Sequence, residues 1–146
     1  LRIEMGHVAG SELDGRTIPD DNSLEGLLSK KKDFIGKRSL NREAFLNPER
    51  EKIVGVIPLD KKTSIPEGSH LVKDSNAPLP NPKLGYISAS CWSVEYDNPF
   101  SLAILKNGKN MIGEKLYVMS PLKNKVIPVE IVSSHYVDPK GERVRS

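Results

Sequence analysis

The chain has 146 residues, 37% of them hydrophobic, with 22 basic and 19 acidic side chains for a net charge of +3. That length allows one ordinary core, or one small barrel carrying a piece of a neighbouring domain. No apolar run approaches the roughly 18 residues of a membrane helix, and the longest, residues 53–57, is broken by Gly55 and closed by Pro58.

The charge is diffuse, with nine basic and nine acidic side chains in residues 1–50 and thirteen against ten in residues 51–146. The single basic triplet, Lys30-Lys31-Lys32, is separated from Phe34 by Asp33, which argues against a stacking and phosphate platform and hence against nucleic acid. The lone Cys91 cannot form an intrachain disulfide, and Arg2, Glu4 and His7 interrupt any signal-peptide core. A reducing cytoplasm and no membrane partner are expected.

Residues 1–4 alternate apolar and polar as a half-buried strand does, and Gly6 and Gly10 then predict an irregular turn. Asp20, Asp21, Asn22 and Ser23 offer N-cap chemistry before Leu24, Leu27 and Leu28, which predicts a short amphipathic turn. Over residues 34–46 the positions Ile35, Leu40, Ala44 and Phe45 predict a surface helix, capped by Asp33 and stopped by Pro48. After Glu51 the pattern changes to short β-rich runs, with strands predicted at 53–59, 70–73, 84–92, 101–106, 115–119 and 126–134. Pro66-Glu67-Gly68, Asn107-Gly108-Lys109 and Pro139-Lys140-Gly141 suit tight connections. Alternating prolines make residues 77–82 an extended loop poor in hydrogen-bond donors. Six short strands imply a barrel or a sandwich, and the division falls near residue 50: a helix-bearing segment 1–50, then an all-β module 51–146.

Few residues carry an obvious chemistry. His7, His70 and His135 lack the close His or Cys neighbours of a metal site, so no metal is expected. No Gly-x-Ser-x-Gly turn accompanies the serines near His135, and Cys91 in a strand reads first as a small apolar side chain. Arg2 and Glu4, two residues apart, would share one strand face; that face is either solvated, with an ion pair, or turned to a polar ligand. Trp92 and Tyr96 would either stack on a flat heterocycle or fill the barrel core or an interface.

Several blocks together resemble a known family. Leu1-Arg2-Ile3-Glu4 is similar to the Leu-Arg-Leu-Glu segment of glycine-cleavage T-proteins, and Glu12-Leu13, Thr17 and Pro19 keep that family's order. Asp33-Phe34-Ile35-Gly36-Lys37, Gly85-Tyr86-Ile87-Ser88-Ala89-Ser90-Cys91-Trp92-Ser93 and Met111-Ile112-Gly113-Glu114 look like further shared blocks. Three departures, Met5-Gly6-His7-Val8, Ala9 before Gly10, and Asp14-Gly15-Arg16, lean towards the alpha subunits of heterotetrameric sarcosine oxidases, as does Tyr136-Val137-Asp138-Pro139-Lys140-Gly141-Glu142-Arg143. The resemblance spans essentially the whole chain.

It implies a six-stranded antiparallel barrel, of the aminomethyltransferase C-terminal kind, preceded by a strand and helix remnant of a folate-binding α+β domain. It implies the C-terminal segment of a larger oxidoreductase that demethylates sarcosine to glycine, methylenetetrahydrofolate and hydrogen peroxide. Tetrahydrofolate would lie at or near this segment, with FAD, FMN and NAD elsewhere in the enzyme. The upstream part of the same subunit and the other oxidase subunits would be its partners. Arg2, Glu4 and Trp92 are the folate-contact candidates; no catalytic residue falls within the chain, so the segment alone is expected to be inactive. A stand-alone aminomethyltransferase or demethylase, and a structural barrel without a ligand, are the alternatives.

Overall fold

The computed structural model describes residues 1–78, 80–143 and 145. Six strands, β1 (Glu51–Pro58), β2 (His70–Val72), β3 (Gly85–Ser93), β4 (Asn98–Lys106), β5 (Lys115–Ser120) and β6 (Lys125–Val132), close into a barrel in the order β1-β4-β3-β2-β5-β6. Every pairing is antiparallel, and β6 returns to β1 through Val56↔Ile131 to complete the ring. Closure removes the free sheet edges that would otherwise invite association.

Alternation along the strands builds two cores, because successive side chains leave opposite faces. Val54, Val56, Leu71, Ile87, Ala103, Leu105, Val118, Val129 and Ile131 fill the barrel. On the outer face of β1 and β4, Ile53, Phe100, Leu102 and Ile104 form a second cluster, covered by Ile3, Val8 and Tyr136. The second cluster fastens both flanking segments to the barrel wall. Gly85 lets β3 approach β4, since a Cβ there would lie 2.1 Å from the Ile104 carbonyl oxygen. The register slips between Ile87 and Ala89, a bulge that turns Cys91 towards the outer cluster.

Three expectations are corrected. Residues 1–4 wind into a turn rather than a strand: the N–H groups of Met5, Gly6 and His7 donate to the carbonyls of Leu1, Ile3 and Arg2 at 3.0, 3.0 and 3.1 Å. Gly6, at φ +69°, sits where a Cβ would come within 2.7 Å of the Ser134 carbonyl oxygen, so it sets both the turn and its seat. The helix expected over 34–46 is broken into a 3-10 segment, Lys37–Asn41, and one α-helical turn, α1 (Glu43–Leu46). Gly36 at φ 92° and Arg42 in an extended conformation interrupt it, and Asp33 caps neither piece. The stretch after Asp20 yields 3-10 turns at Pro19–Asn22 and Glu25–Leu27, with Leu24 rather than an Asx or Ser residue at the second N-cap. The expected extended loop at 77–82 includes Leu79, which lies outside the described residues.

Asp20 and Asp21 serve a different purpose from capping. Asp21, buried, pairs with Arg50 and with Lys52 Nζ at 3.1 Å, while Asp20 pairs with Lys52 and with Lys109 at 2.7 Å. Lys109 also reaches Glu25 at 2.7 Å, so one network joins Pro19–Asn22 to β1 and to the turn after β4.

Candidate functional site

The turn at residues 1–7 and the loop that follows lie along the outer wall of β3 and present two carboxylates to it. Glu12, 2% exposed, accepts from the Ala9 N–H at 2.7 Å and the Ser11 hydroxyl at 2.9 Å. Burial opposes its ionisation, but hydrogen bonds from Ala9, Ser88 and Ser11 and the Arg2 charge outweigh that and hold its pKa below the ordinary glutamate value. Arg2 Nη1 donates to the His7 carbonyl at 2.9 Å and stands 3.5 Å from Glu12 Oε2. The guanidinium is thereby oriented by fixed partners while its side chain stays 41% exposed.

Glu4 is buried, and its carboxyl is likewise held low, chiefly by a hydrogen bond from Ser93 against the opposing effect of burial, with further help from the Val94 N–H. Its backbone carbonyl accepts from both Tyr136 and Val137 N–H at 3.0 Å. Glu4 is therefore a tie between the turn, the end of β3 and the C-terminal segment. Arg2 and Glu4 share a turn but not a strand face, and they engage different partners.

Trp92 stands apart from both. It follows Cys91 and precedes Ser93 on β3, so its side chain leaves the opposite face from the one that meets the outer cluster and Glu4. It is half-exposed, and its indole N–H donates to Asp97 at 3.3 Å. Tyr96, also half-exposed, lays its ring 4.6 Å from that of Tyr136, which stacks on Phe100 at 4.5 Å and 2°. Burial pushes the Cys91 thiol up, with the neighbouring Glu4 charge adding to it, and its side chain packs against the outer cluster.

Two cavities flank this turn. One of about 520 Å³ opens beside Arg2 and is bounded by Leu1, Met5, His7, Val137, Asp138 and Arg143. It has the size of a small-molecule site and pairs apolar walls with an oriented cation. The other, about 310 Å³, lies between the 11–22 loop and the β1–β4 wall, where Asn22, Arg16, Glu51 and Tyr86 contribute. Among the described residues no group of three His, Cys, Asp or Glu side chains is placed to hold a metal ion, and no helix is long and apolar enough to cross a membrane.

No protein-family model matches the chain. Known relatives do. Across 146 aligned residues it is 38% identical to the sarcosine oxidase alpha subunit of Rhizobium meliloti (strain 1021), with 99% of the chain covered. It is 36% and 34% identical to those of Corynebacterium sp. strains P-1 and U-96, with 98% covered in each case. The chain is a homologue of sarcosine oxidase alpha subunits. It spans about 15% of the length of each relative and so matches one part of each of them.

The sarcosine oxidase likeness takes in both the Arg2–Glu12 turn and the barrel, which lie in one homologous stretch. In architecture the chain is similar to the glycine cleavage system aminomethyltransferase T of Bartonella henselae, with a TM-score of 0.68 and 20% identity over 94% of this chain and 37% of that one. The aminomethyltransferase barrel expected from the sequence is thus the observed fold. Reading the sequence singled out Arg2, Glu4 and Trp92 but missed Glu12, the residue that orients Arg2. The signal available for it was its place in the Glu12-Leu13, Thr17, Pro19 order.

Proposed function

We propose that the chain is the C-terminal part of a sarcosine oxidase alpha subunit and supplies one wall of its tetrahydrofolate site. The observation that carries this reading is the Arg2 guanidinium, fixed by Glu12 and the His7 carbonyl, at the edge of the 520 Å³ cavity. A folate fits those residues by chemistry: planar guanidinium donors suit the glutamyl carboxylates, and Leu1, Met5 and Val137 suit the aromatic linker. Tetrahydrofolate supplies the amines that capture a one-carbon unit.

In the complete enzyme, sarcosine, tetrahydrofolate and dioxygen would give glycine, methylenetetrahydrofolate and hydrogen peroxide; a bound flavin would supply the two-electron oxidation of the N-methyl amine, with dioxygen as the final acceptor. This chain's residues bind and orient. A folate held at the wall meets the one-carbon unit at high effective concentration, before water releases it as formaldehyde. Glu4 anchors the turn that carries Arg2, while Trp92, on the other face of β3, would meet the folate only from outside the Arg2 cavity. Residues 1–50 complete the folate-binding domain and 51–146 form the barrel domain; FAD, FMN, NAD and the catalytic acid or base belong to the rest of the assembly. A cytoplasmic location goes with this reading.

Arg2→Ala in the full-length subunit should weaken tetrahydrofolate affinity by about 1.5–3 kcal/mol, the value of a hydrogen bond to a charged group. Arg2→Lys should restore part of it. Equilibrium titration checks both, and unchanged affinity in Arg2→Ala would leave Arg2 only its bonds to Glu12 and His7.

A further inference from the structure

The cavity of about 310 Å³ shares no lining residue with the one beside Arg2, and the two meet only through the Arg2–Glu12 contact. Its floor is laid by Tyr86 and Ile104, cross-strand neighbours on β3 and β4. Asn22 lines it from the end of the Pro19–Asn22 turn; the residue is 3% exposed, and its Oδ1 is buried with no donor among the described residues. A buried amide oxygen in that condition costs free energy until a donor meets it. Glu51 and Lys106 stand exposed at the rim, directly opposite each other in the β1–β4 register. Neither side chain makes a hydrogen bond or a salt bridge among the described residues. Burial raises the Tyr86 pKa, and the charges of Glu51, Asp14 and Glu12 raise it further against the weaker pull of Arg16, so the field at its hydroxyl is negative.

These groups are of two kinds. An amide oxygen, an aromatic ring in a negative field and a carboxylate suit an ammonium group, while the Lys106 ammonium suits a carboxylate. We infer that the cavity binds a small α-amino acid as its zwitterion, with the ammonium group between Tyr86, Glu51 and Asn22 and the carboxylate on Lys106. Arg16 and Arg50 do not compete for that carboxylate, because Asp14 and Asp21 already hold them. A metal ion does not suit the same walls, since among the described residues no three His, Cys, Asp or Glu side chains converge to hold one. The volume lies at the lower end for small-molecule sites, which favours a ligand of few atoms. The inference rests on this chain's own residues and not on folate binding; an enzyme that releases glycine, as proposed above, would meet the ligand as its product.

Calorimetric titration of the full-length subunit with glycine, methylamine and acetate, in the absence of folate, tests it. Glycine should bind about tenfold more tightly than either half-ligand, and Glu51→Gln and Lys106→Gln should each weaken it about fivefold. Both side chains are exposed, so neither change disturbs the core, and Lys106→Gln should leave tetrahydrofolate affinity unaltered. Absence of glycine binding, a half-ligand as tight as glycine, or the same glycine affinity in both variants would overturn the inference. Glycine binding lost in the variants of a subunit that takes up no folate would overturn the folate reading and leave this one standing.

Discussion

Phe100→Ala is expected to destabilise the chain by about 3–5 kcal/mol, the range for deleting a fully buried aromatic ring. Phe100 has no exposed surface and lies in the outer cluster, not in the barrel lumen. Its ring stacks on Tyr136 and occupies the space left by Gly55, where a Cβ would come within 2.7 Å of Phe100 Cε2. Removing it leaves a hole that neighbouring strands, fixed by their ladders, cannot close. The effect should also reach the ligand wall, because Tyr136 packs on Phe100 and its backbone N–H holds the Glu4 carbonyl beside Arg2. Urea unfolding followed by near-ultraviolet circular dichroism checks this; a loss below about 1 kcal/mol would mean that the site collapses instead of leaving a cavity.

Asp21→Ala should cost about 3 kcal/mol, the lower end for breaking a buried ion pair. It takes the partner from Arg50 and one of two partners from Lys52, which is only 8% exposed but keeps Asp20. Burial opposes ionisation of Asp21, yet hydrogen bonds from Arg50, the Ile18 N–H and Lys52 prevail and hold its carboxyl below the ordinary value. A depressed folded-state pKa contributes stability that is fully present above the unfolded aspartate value of about 3.9 and is lost as pH falls through the folded value. Asp21→Asn should therefore flatten the acid limb of the stability profile. Urea midpoints measured from pH 7 down to pH 3 test this, and an unchanged acid limb would contradict it.

The barrel was legible because its strands keep a period of two and are separated by Gly- and Pro-bearing turns. All six expected strands occur, with ends displaced by no more than three residues; the largest displacement is at β4, where the turn-like Asn98 and Pro99 continue the ladder opposite Ser93 and Trp92. The N-terminal segment was less legible. Leu1, Arg2, Ile3 and Glu4 satisfy a strand pattern, but Gly6 and three short-range backbone bonds wind them into a turn. Residues 34–46 carry a helix-like apolar spacing, but without a face to bury it, and with Gly36 in a left-handed conformation, only fragments of helix form.

The ion network escaped notice for a different reason: Asp20, Asp21, Arg50, Lys52 and Lys109 are brought together by the fold from positions up to 89 residues apart. Of the candidate site, Arg2 and Glu4 do occupy one turn, while Trp92 leaves the opposite face of β3, because a bulge and strand alternation decide direction and neither is readable from residue types alone.

Calorimetric titration of tetrahydrofolate, on the full-length subunit and on this 146-residue chain, tests the central claim most directly. One wall of a pocket predicts binding to the full-length subunit and none to the chain by itself. Absence of binding to the full-length subunit would contradict the folate assignment, and equal binding to both would contradict the claim that the pocket is shared with the rest of the polypeptide.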